Sequence, residues 1–176
     1  KYRGRLFDEQ LEVITRLFTE DKVTFEGQHY QLKDIALEPK PIQKPYPPIW
    51  IGGGLKSVHR VARYGECILC FWPSPEEAQS VWLPKLREEG QKWGTDPKLA
   101  AFTFVYVAKD EKDFQAYLPK LRQGVAFEDD SVDPLNVTVS GTPEQCAQRL
   151  NALKEAGIWH FVLEFQFHGL ESVSFG

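Results

Sequence analysis

The stretch PPIWIGGGLKS, residues 47–57, carries the strongest structural signal in the chain. A short apolar run at residues 49–51 leads directly into three consecutive glycines, and a helical pattern begins near Lys56. This order predicts a strand, a tight loop and a helix. Because glycine has no Cβ and adopts positive φ freely, a ligand can approach the main chain of this loop closely.

The same junction predicts a phosphate site. The first amides of a helix lack intrahelical partners and carry a partial positive charge, and both properties favour anions. Lys56 and Ser57 add a cation and a hydroxyl beside these amides. The consecutive glycines match neither the dinucleotide-binding pattern nor the Walker loop. From these residues alone, a tight turn without a ligand is the competing interpretation.

Composition and charge limit the possible partners. The chain has 176 residues, of which 42% are apolar, and a net charge of −4. These values are typical of one globular domain with a sizeable core. Because no basic face is evident, we expect no nucleic-acid partner. Because no run approaches the ~18 apolar residues of a membrane span, we expect no membrane partner.

The three cysteines indicate a reducing environment. An odd count, in a sequence with no secretory signal at its start, favours free thiols and a cytoplasmic location. Cys67 and Cys70 have the C-x-x-C spacing of redox and zinc sites, but they fall in a predicted strand, where side chains three apart face opposite sides. No second cysteine or histidine pair supplies further ligands, so we expect no metal.

Strands and helices alternate along the chain. An amphipathic helix over residues 5–19 and a hairpin turned at Gly27 precede an extended proline-rich segment, residues 33–48. Buried strands are then predicted at residues 49–51, 67–72, 101–108 and 158–167. Helices are predicted at residues 56–64, 75–93, 110–123 and 143–156, the second interrupted at Pro84, and residues 124–138 are predicted to be an acidic loop. This alternation predicts an α/β fold with a parallel sheet, or part of a β/α barrel.

Two helix starts have capping-box chemistry. Ser74 and Thr142 are each followed by proline at the first helical position and by Glu77 or Gln145 at the third. Gly157 is well placed to end the last helix. Both boxes therefore predict helix boundaries from local sequence alone.

Four segments resemble the luciferase-like monooxygenase family, whose members depend on flavin or on coenzyme F420. The longest covers residues 37–65, with LEPKPIQKPYPPIWIGGG followed by VARYG. The others are GRLFDEQLEVI at residues 4–14, FEGQHYQL at residues 25–32, and GTPEQCAQRL with AGI at residues 141–158. The resemblance covers nearly the whole chain and is specific to the superfamily, but it does not identify a subfamily.

The resemblance implies a partial TIM-like (β/α)8 barrel. A complete barrel needs roughly 250 residues, so the chain is expected to be the C-terminal half, a half-barrel with strands five to eight. Residues 1–176 would then form one domain, with a helix and hairpin leading in over residues 1–36 and four β/α core strands over residues 49–167. Neither end looks like a natural terminus, so we expect a fragment of a longer protein.

The resemblance also implies a cofactor, either FMN or coenzyme F420. Gly53, Gly54 and Ser57 would contact its phosphate through backbone amides and a hydroxyl. Gly52 and Lys56 complete the candidate set, Lys56 on chemical grounds. The implied function is a flavin- or F420-dependent monooxygenase or other oxidoreductase acting on a small organic substrate. Most residues facing the ring and the substrate lie in the family's other half, so the chain alone is expected to be a poor catalyst or inactive.

Two interpretations other than part of an enzyme remain open. The first is a non-catalytic module, for cofactor binding or oligomerisation, that derives from the same fold. The second is an unrelated doubly wound domain that binds a phosphate ligand at the same junction. The order of the strands in the sheet distinguishes it from a barrel. A half-barrel leaves two open edges and an uncovered apolar face, so we expect a homo-oligomer or association with the missing half.

Five further residues are weaker candidates. His59 and His160 have no acid or nucleophile partner in the sequence, whereas His168 would follow the last strand at its C-terminal end. Glu164, within that strand, either faces the barrel interior or is a satisfied polar group. Trp72 either walls a cofactor pocket or belongs to the core. The sequence leaves their roles open.

Overall fold

Parallel strands form the centre of the fold in the computed structural model, which describes residues 2–124 and 133–165. The strands are β1 (Val23–Glu26), β2 (Gln31–Ile35), β3 (Trp50–Gly52), β4 (Cys67–Phe71), β5 (Lys98–Val107), β6 (Thr138–Gly141) and β7 (His160–Phe165). The α-helices are α1 (Tyr2–Thr19), α2 (Val58–Tyr64), α3 (Pro75–Glu77), α4 (Leu83–Trp93), α5 (Glu111–Gly124), α6 (Pro134–Val137) and α7 (Pro143–Glu155). A 3₁₀ turn (Leu55–Ser57) precedes α2, and a π turn (Ala78–Trp82) joins α3 to α4.

The central strands follow one another in chain order. β3 pairs with β4, β4 with β5, and β5 with β7, all in parallel. Helices α2, α4 and α7 pack on one face of this sheet. A doubly wound fold reverses its strand order and has helices on both faces. The observed order therefore excludes that interpretation and agrees with part of a β/α barrel.

The two faces of the sheet differ in what covers them. Ile51, Ile68, Leu99 and Phe161 point towards the helices and join one apolar cluster with residues of α2, α4 and α7. Because side chains alternate along a strand, the residues immediately before and after each of these four face the other side of the sheet. We call that side the inner face, since it is the one that a closed barrel would enclose.

Both predicted capping boxes are present. The Ser74 hydroxyl accepts from the Glu77 amide at 3.1 Å, and the Glu77 carboxylate accepts from the Ser74 amide at the same distance. Thr142 and Gln145 exchange the equivalent pair of bonds at the start of α7. Gly157 follows α7 with φ +99°, a conformation that favours glycine. These boundaries were predictable because each depends on residues close together in sequence.

Pro84 explains the change of helical geometry before α4. Proline has no N–H, and its ring crowds the carbonyl four residues earlier, here that of Ser80. The turn Ala78–Trp82 accordingly widens into a π turn, and the helix resumes at Leu83. The predicted interruption at Pro84 is confirmed.

Several predicted boundaries were wrong. The third strand begins at Lys98, three residues earlier than expected, because Cys67 of β4 pairs with Lys98. The last strand spans His160–Phe165 and is shorter at its start than the predicted 158–167. The predicted loop at 124–138 contains α6 and the start of β6, which forms because β5 extends past β4 and offers Phe104–Val107 for pairing. Residues 125–132 of that loop lie outside the described residues.

Helix α1 and the β1–β2 hairpin are attached by two carboxylates. The Glu9 carboxylate accepts the backbone amides of Gln28, His29 and Tyr30 at 2.8–3.1 Å, which fastens the hairpin turn to α1. The Asp8 carboxylate accepts two bonds from the Arg60 guanidinium, which ties α1 to α2. In the described part of the chain, no helix has the length and apolar character needed to cross a bilayer.

Candidate functional site

The glycine loop lies at the C-terminal end of β3, with its backbone exposed on both sides of Gly53. A Cβ on Gly52 or Gly54 would meet no atom within 4 Å outside the adjoining residues. Gly53 differs, because its φ is +148° and a Cβ there would stand 2.8 Å from the Ser57 hydroxyl oxygen. The structure therefore brings four predicted residues together. The Ser57 hydroxyl lies next to Gly53, and Gly52 and Gly54 on either side leave room for a ligand.

Not every amide of the loop is free for a ligand. Gly53 donates its N–H to the Leu69 carbonyl at 3.2 Å, and Ser57 donates to the Gly54 carbonyl at 2.8 Å. In residues 2–124 and 133–165, no backbone carbonyl accepts the amide N–H of Gly54 or Leu55. The Gly54 and Leu55 amides, the exposed Lys56 side chain and the Ser57 hydroxyl are therefore the donors that the loop offers.

A groove of about 530 Å³ opens beside this loop. One wall is formed by Gly54, Leu55 and Lys56, and the other by Glu77, Val81 and Trp82. Val81 and Trp82 belong to the π turn, and such turns are frequent at functional sites. The groove joins the loops that follow two neighbouring strands at their C-terminal ends, which is where barrels hold their active sites.

Aromatic side chains line the C-terminal part of the inner face. The Phe71 and Phe102 rings lie 5.2 Å apart, Phe102 and Phe104 lie 5.5 Å apart, and Trp72 and Phe104 lie 5.6 Å apart. Phe71 is 60% exposed. We call these four residues the aromatic wall. Its rings, tilted by 41–83° to one another, offer a partly exposed apolar surface against which a planar ligand or another part of the barrel can pack.

Trp72 has a strained backbone at the top of this wall. Its φ is +44°, an outlier for a bulky residue. Its backbone N–H donates to the Phe102 carbonyl at 3.1 Å. Strain of this kind persists where the surrounding structure enforces it, often at functional sites. The Trp72 side chain is half-buried and packs beside Phe71 and Phe104, and both roles named for it stay predictions.

The histidine candidates lie away from the loop's ligand-facing side or outside the described residues. The His59 imidazole lies 3.8 Å from the Asp8 carboxylate, on the surface between α1 and α2. His160 opens β7 at its N-terminal end, where its ring packs edge-on against Trp50 at 4.9 Å. His168 is not among the described residues. Glu164, in contrast, lies on the inner face at the C-terminal end of β7, paired in register with Phe104.

The C-x-x-C pair is buried and free. Cys67 and Cys70 are both inaccessible to solvent and form no disulfide. Burial raises the pKa of each thiol to about 12, so neither is a thiolate near neutral pH. No group of three metal-binding side chains occurs in residues 2–124 and 133–165.

The aromatic wall and the groove were not identified from the sequence. The alternation in β5 already separated Phe102 and Phe104 from Thr103 and Val105. What the alternation could not tell is which of the two sets faces the helices. The pairing of β5 with both neighbours decides this, and it depends on residues far apart in sequence.

Comparison with known proteins gives consistent similarities. A sequence profile of luciferase-like monooxygenases matches residues 1–136. The FMNH2-dependent dimethylsulfone monooxygenase of Pseudomonas putida is 25% identical over 206 residues, which cover 95% of this chain and 56% of that protein. The chain thus spans about half the length of this curated relative.

Solved structures agree on the fold. The coenzyme F420-dependent tetrahydromethanopterin reductase of Methanopyrus kandleri superposes with a TM-score of 0.75 at 17% identity, covering 92% of this chain and 57% of that one. An F420-dependent secondary alcohol dehydrogenase, in complex with an F420–acetone adduct, gives 0.70 at 22% identity, with coverages of 89% and 54%. The predicted α/β architecture, part of a β/α barrel, is confirmed.

Proposed function

This chain belongs to the luciferase-like monooxygenase family, and from that premise we propose that it forms the phosphate side of a flavin or F420 site in an oxidoreductase. The observation that carries the proposal is the bare loop after β3, where Gly52 and Gly54 leave open space at a strand's C-terminal end. Either FMN or coenzyme F420 fits, since both carry a phosphate. The relatives named above include users of each.

The residues present fit a phosphate. The amides of Gly54 and Leu55 point to no backbone acceptor in the described part of the chain, and Lys56 adds a positive charge. The Ser57 hydroxyl stands over Gly53 and can donate to the same anion. When bound, a reduced flavin or deazaflavin supplies the two electrons of the reaction. The role of this chain's own residues is to hold the phosphate and to pack the aromatic wall against the ring.

We place the small organic substrate on the inner face, next to the aromatic wall. Phe71 and the rest of the wall exclude water from one side of that space once the barrel is closed. Full catalysis requires the other half of the barrel, supplied by the same polypeptide, by a partner or by a second copy. Within residues 2–124 and 133–165, β3 pairs only with β4 and β7 only with β5, and strand edges of this kind support such an association. We also propose a cytoplasmic, reducing setting, which the three free buried thiols support.

The alternative is a non-catalytic module that keeps the cofactor loop or uses the inner face only for oligomerisation. The exposed Phe71 and these strand edges favour a role in association as well. Binding that depends on the phosphate is required of the oxidoreductase half and of a cofactor-binding module, but not of a module that serves oligomerisation alone. Sedimentation velocity at micromolar concentration separates a stable monomer, which contradicts self-association, from a dimer.

The proposal is tested by titrating the chain with FMN, riboflavin and coenzyme F420 while following cofactor fluorescence. We expect FMN or F420 to bind at least tenfold more tightly than riboflavin, because riboflavin lacks the phosphate. The variant S57A, with T24A as an exposed hydroxyl control, is expected to reduce that preference. Equal affinity for FMN and riboflavin, or no binding of any of the three, contradicts the cofactor proposal. Robust turnover by the chain alone contradicts the need for another half.

A further inference from the structure

Glu164 is an ionisable side chain on the inner face, next to the aromatic wall. Leu163 points towards the helices, where it packs with Val105 and Cys146. By alternation, Glu164 faces the opposite side. Its register partner on β5 is Phe104, which belongs to the aromatic wall. The Glu164 carboxylate therefore lies at the rim of the apolar surface on which we propose that the cofactor ring packs.

Glu164 is exposed to solvent in this chain, and closing the barrel would bury it beside the aromatic wall. Side chains of residues 2–124 and 133–165 form no hydrogen bond or ion pair with it. The nearby inner-face positions on β3, β4 and β5 are Gly52, Phe71, Phe102 and Phe104, none of which is ionisable. Thr138 of β6 pairs in register with Phe104, and Tyr106, further along β5, stacks on Tyr117 of α5. A charge enclosed among aromatic rings is costly unless a hydrogen-bond donor meets it. Closing the barrel over this face would therefore require a donor opposite Glu164.

The spacing of the sheet relates Glu164 to the phosphate loop. The loop follows β3, Glu164 lies on β7, and β4 and β5 stand between them. Three interstrand spacings of about 4.8 Å separate the two outer strands by roughly 14 Å. A ribityl phosphate chain with a three-ring system attached is long enough to cross that distance. A ligand held by its phosphate at β3 can thus present an edge of its ring to Glu164.

We propose that Glu164 accepts a hydrogen bond from the imide N–H of the cofactor's pyrimidinedione ring. This inference rests on the proposed function. The imide N–H is a donor that flavins and deazaflavins share, whereas the opposite, benzenoid edge of a flavin offers no N–H. The carboxylate thereby sets which edge of the ring faces β7, and it is a positioning residue. It also disfavours anionic groups at the same place.

The test compares whichever of FMN and F420 the chain binds with its N3-methyl analogue, which has no imide hydrogen. We expect the wild-type chain to prefer the unmethylated cofactor roughly ten- to hundredfold, the size of a hydrogen bond to a charged group. In E164M, which keeps the volume but removes the acceptor, the preference should fall below about threefold. The matched control is E155Q, an exposed carboxylate on α7, which should behave as wild type.

A second readout is the ionisation of the bound imide, followed by absorbance against pH. A carboxylate acceptor disfavours the anionic imide, so the imide pKa should be higher in wild type than in E164M. An unchanged N3-methyl preference in E164M, or no preference in wild type, overturns the inference. If FMN or F420 still binds more tightly than riboflavin in that case, the proposed function stands without it. Absence of any phosphate-dependent binding overturns both.

Discussion

Ser57 occupies the position that a side chain on Gly53 would need. A Cβ on Gly53 would lie 2.8 Å from the Ser57 hydroxyl oxygen, and the Gly53 φ of +148° is one that other residues rarely adopt. Gly52 and Gly54 have no such restriction, because a Cβ on either would meet open space. Glycine is therefore needed at the three positions for different physical reasons. Gly53 allows the backbone conformation of the loop, whereas Gly52 and Gly54 leave its backbone accessible.

The first prediction separates these reasons. G53A is expected to lower the free energy of unfolding by about 1–3 kcal/mol, the usual cost of an enforced backbone conformation. G54A should leave it within about 0.5 kcal/mol, since Gly54 is extended with φ −86° and has room for a methyl group. Urea unfolding measures both. G54A should nevertheless weaken FMN or F420 binding, because its methyl group covers the amides proposed to hold phosphate.

Equal unfolding free energies for G53A and G54A would contradict the assignment of strain to Gly53. Unchanged binding by a folded G54A variant would contradict the exposed backbone as the phosphate contact. The two results are independent, because one measures the free energy of unfolding and the other measures cofactor binding.

A second prediction concerns the attachment of α1. Arg60 Nε lies 2.5 Å from Asp8 Oδ1, and Nη2 lies 3.2 Å from both Asp8 Oδ2 and the Gly4 carbonyl. The Arg60 side chain is only 12% exposed. R60M should cost about 1–3 kcal/mol of unfolding free energy, because it removes several charge-assisted bonds between two helices.

The control for R60M is R16M. Arg16 pairs with Glu20 within α1, and both side chains are a third or more exposed. Pairs of this kind contribute about 0.3–0.5 kcal/mol. Chemical denaturation of both variants at low and high salt checks the difference. A loss in R60M no larger than that in R16M would show that the α1–α2 tie contributes little.

A third prediction is a pH dependence that originates at Glu9. Burial raises the pKa of this carboxyl, but hydrogen bonds from the amides of His29, Gln28 and Tyr30 outweigh it, so the folded pKa lies below the ordinary 4.5. A group with a depressed folded pKa stabilises the fold above its unfolded pKa and loses that contribution as pH falls through the folded value. The stabilisation by Glu9 should therefore be complete above pH 4.5 and decline below it.

The variant E9Q checks this. The difference in urea midpoint between wild type and E9Q should be constant from pH 7 to about 5 and should shrink as the pH approaches 3. The control is E144Q, at an exposed carboxyl on α7. A wild-type minus E9Q difference that does not change with pH would mean that the amide bonds do not depend on the charge of Glu9.

The fourth prediction concerns the thiols. Burial raises the pKa of Cys67 and of Cys70 to about 12 and also raises that of Cys146. We expect no thiol to react with Ellman's reagent at pH 8 before the chain unfolds, and all three to react in 6 M urea. S80C, an exposed position in the π turn, should react at once and serves as the positive control. Rapid reaction of Cys67 or Cys70 in the native chain would reopen the redox interpretation of the C-x-x-C spacing.

Features that depend on neighbouring residues could be predicted. The boxes at Ser74 and Thr142, the hairpin at Gly27 and the interruption at Pro84 each follow from bonds or clashes within four residues, and all are present. The start of β5 and the whole of β6 could not be predicted. Lys98 is a strand residue because Cys67 pairs with it, and Thr138 because Phe104 does.

The sequence by itself determined that an apolar strand ends in an open glycine loop before a helix, because a missing Cβ and a helix start are local properties. It also determined the alternation of strands and helices. Only the tertiary structure decided that Gly53 lies under Ser57, that Phe71, Phe102 and Phe104 share the inner face, and that Glu164 stands beside them. Strand register brings residues as distant as Phe71 and Glu164 onto one surface, and register is set by pairing across the sheet.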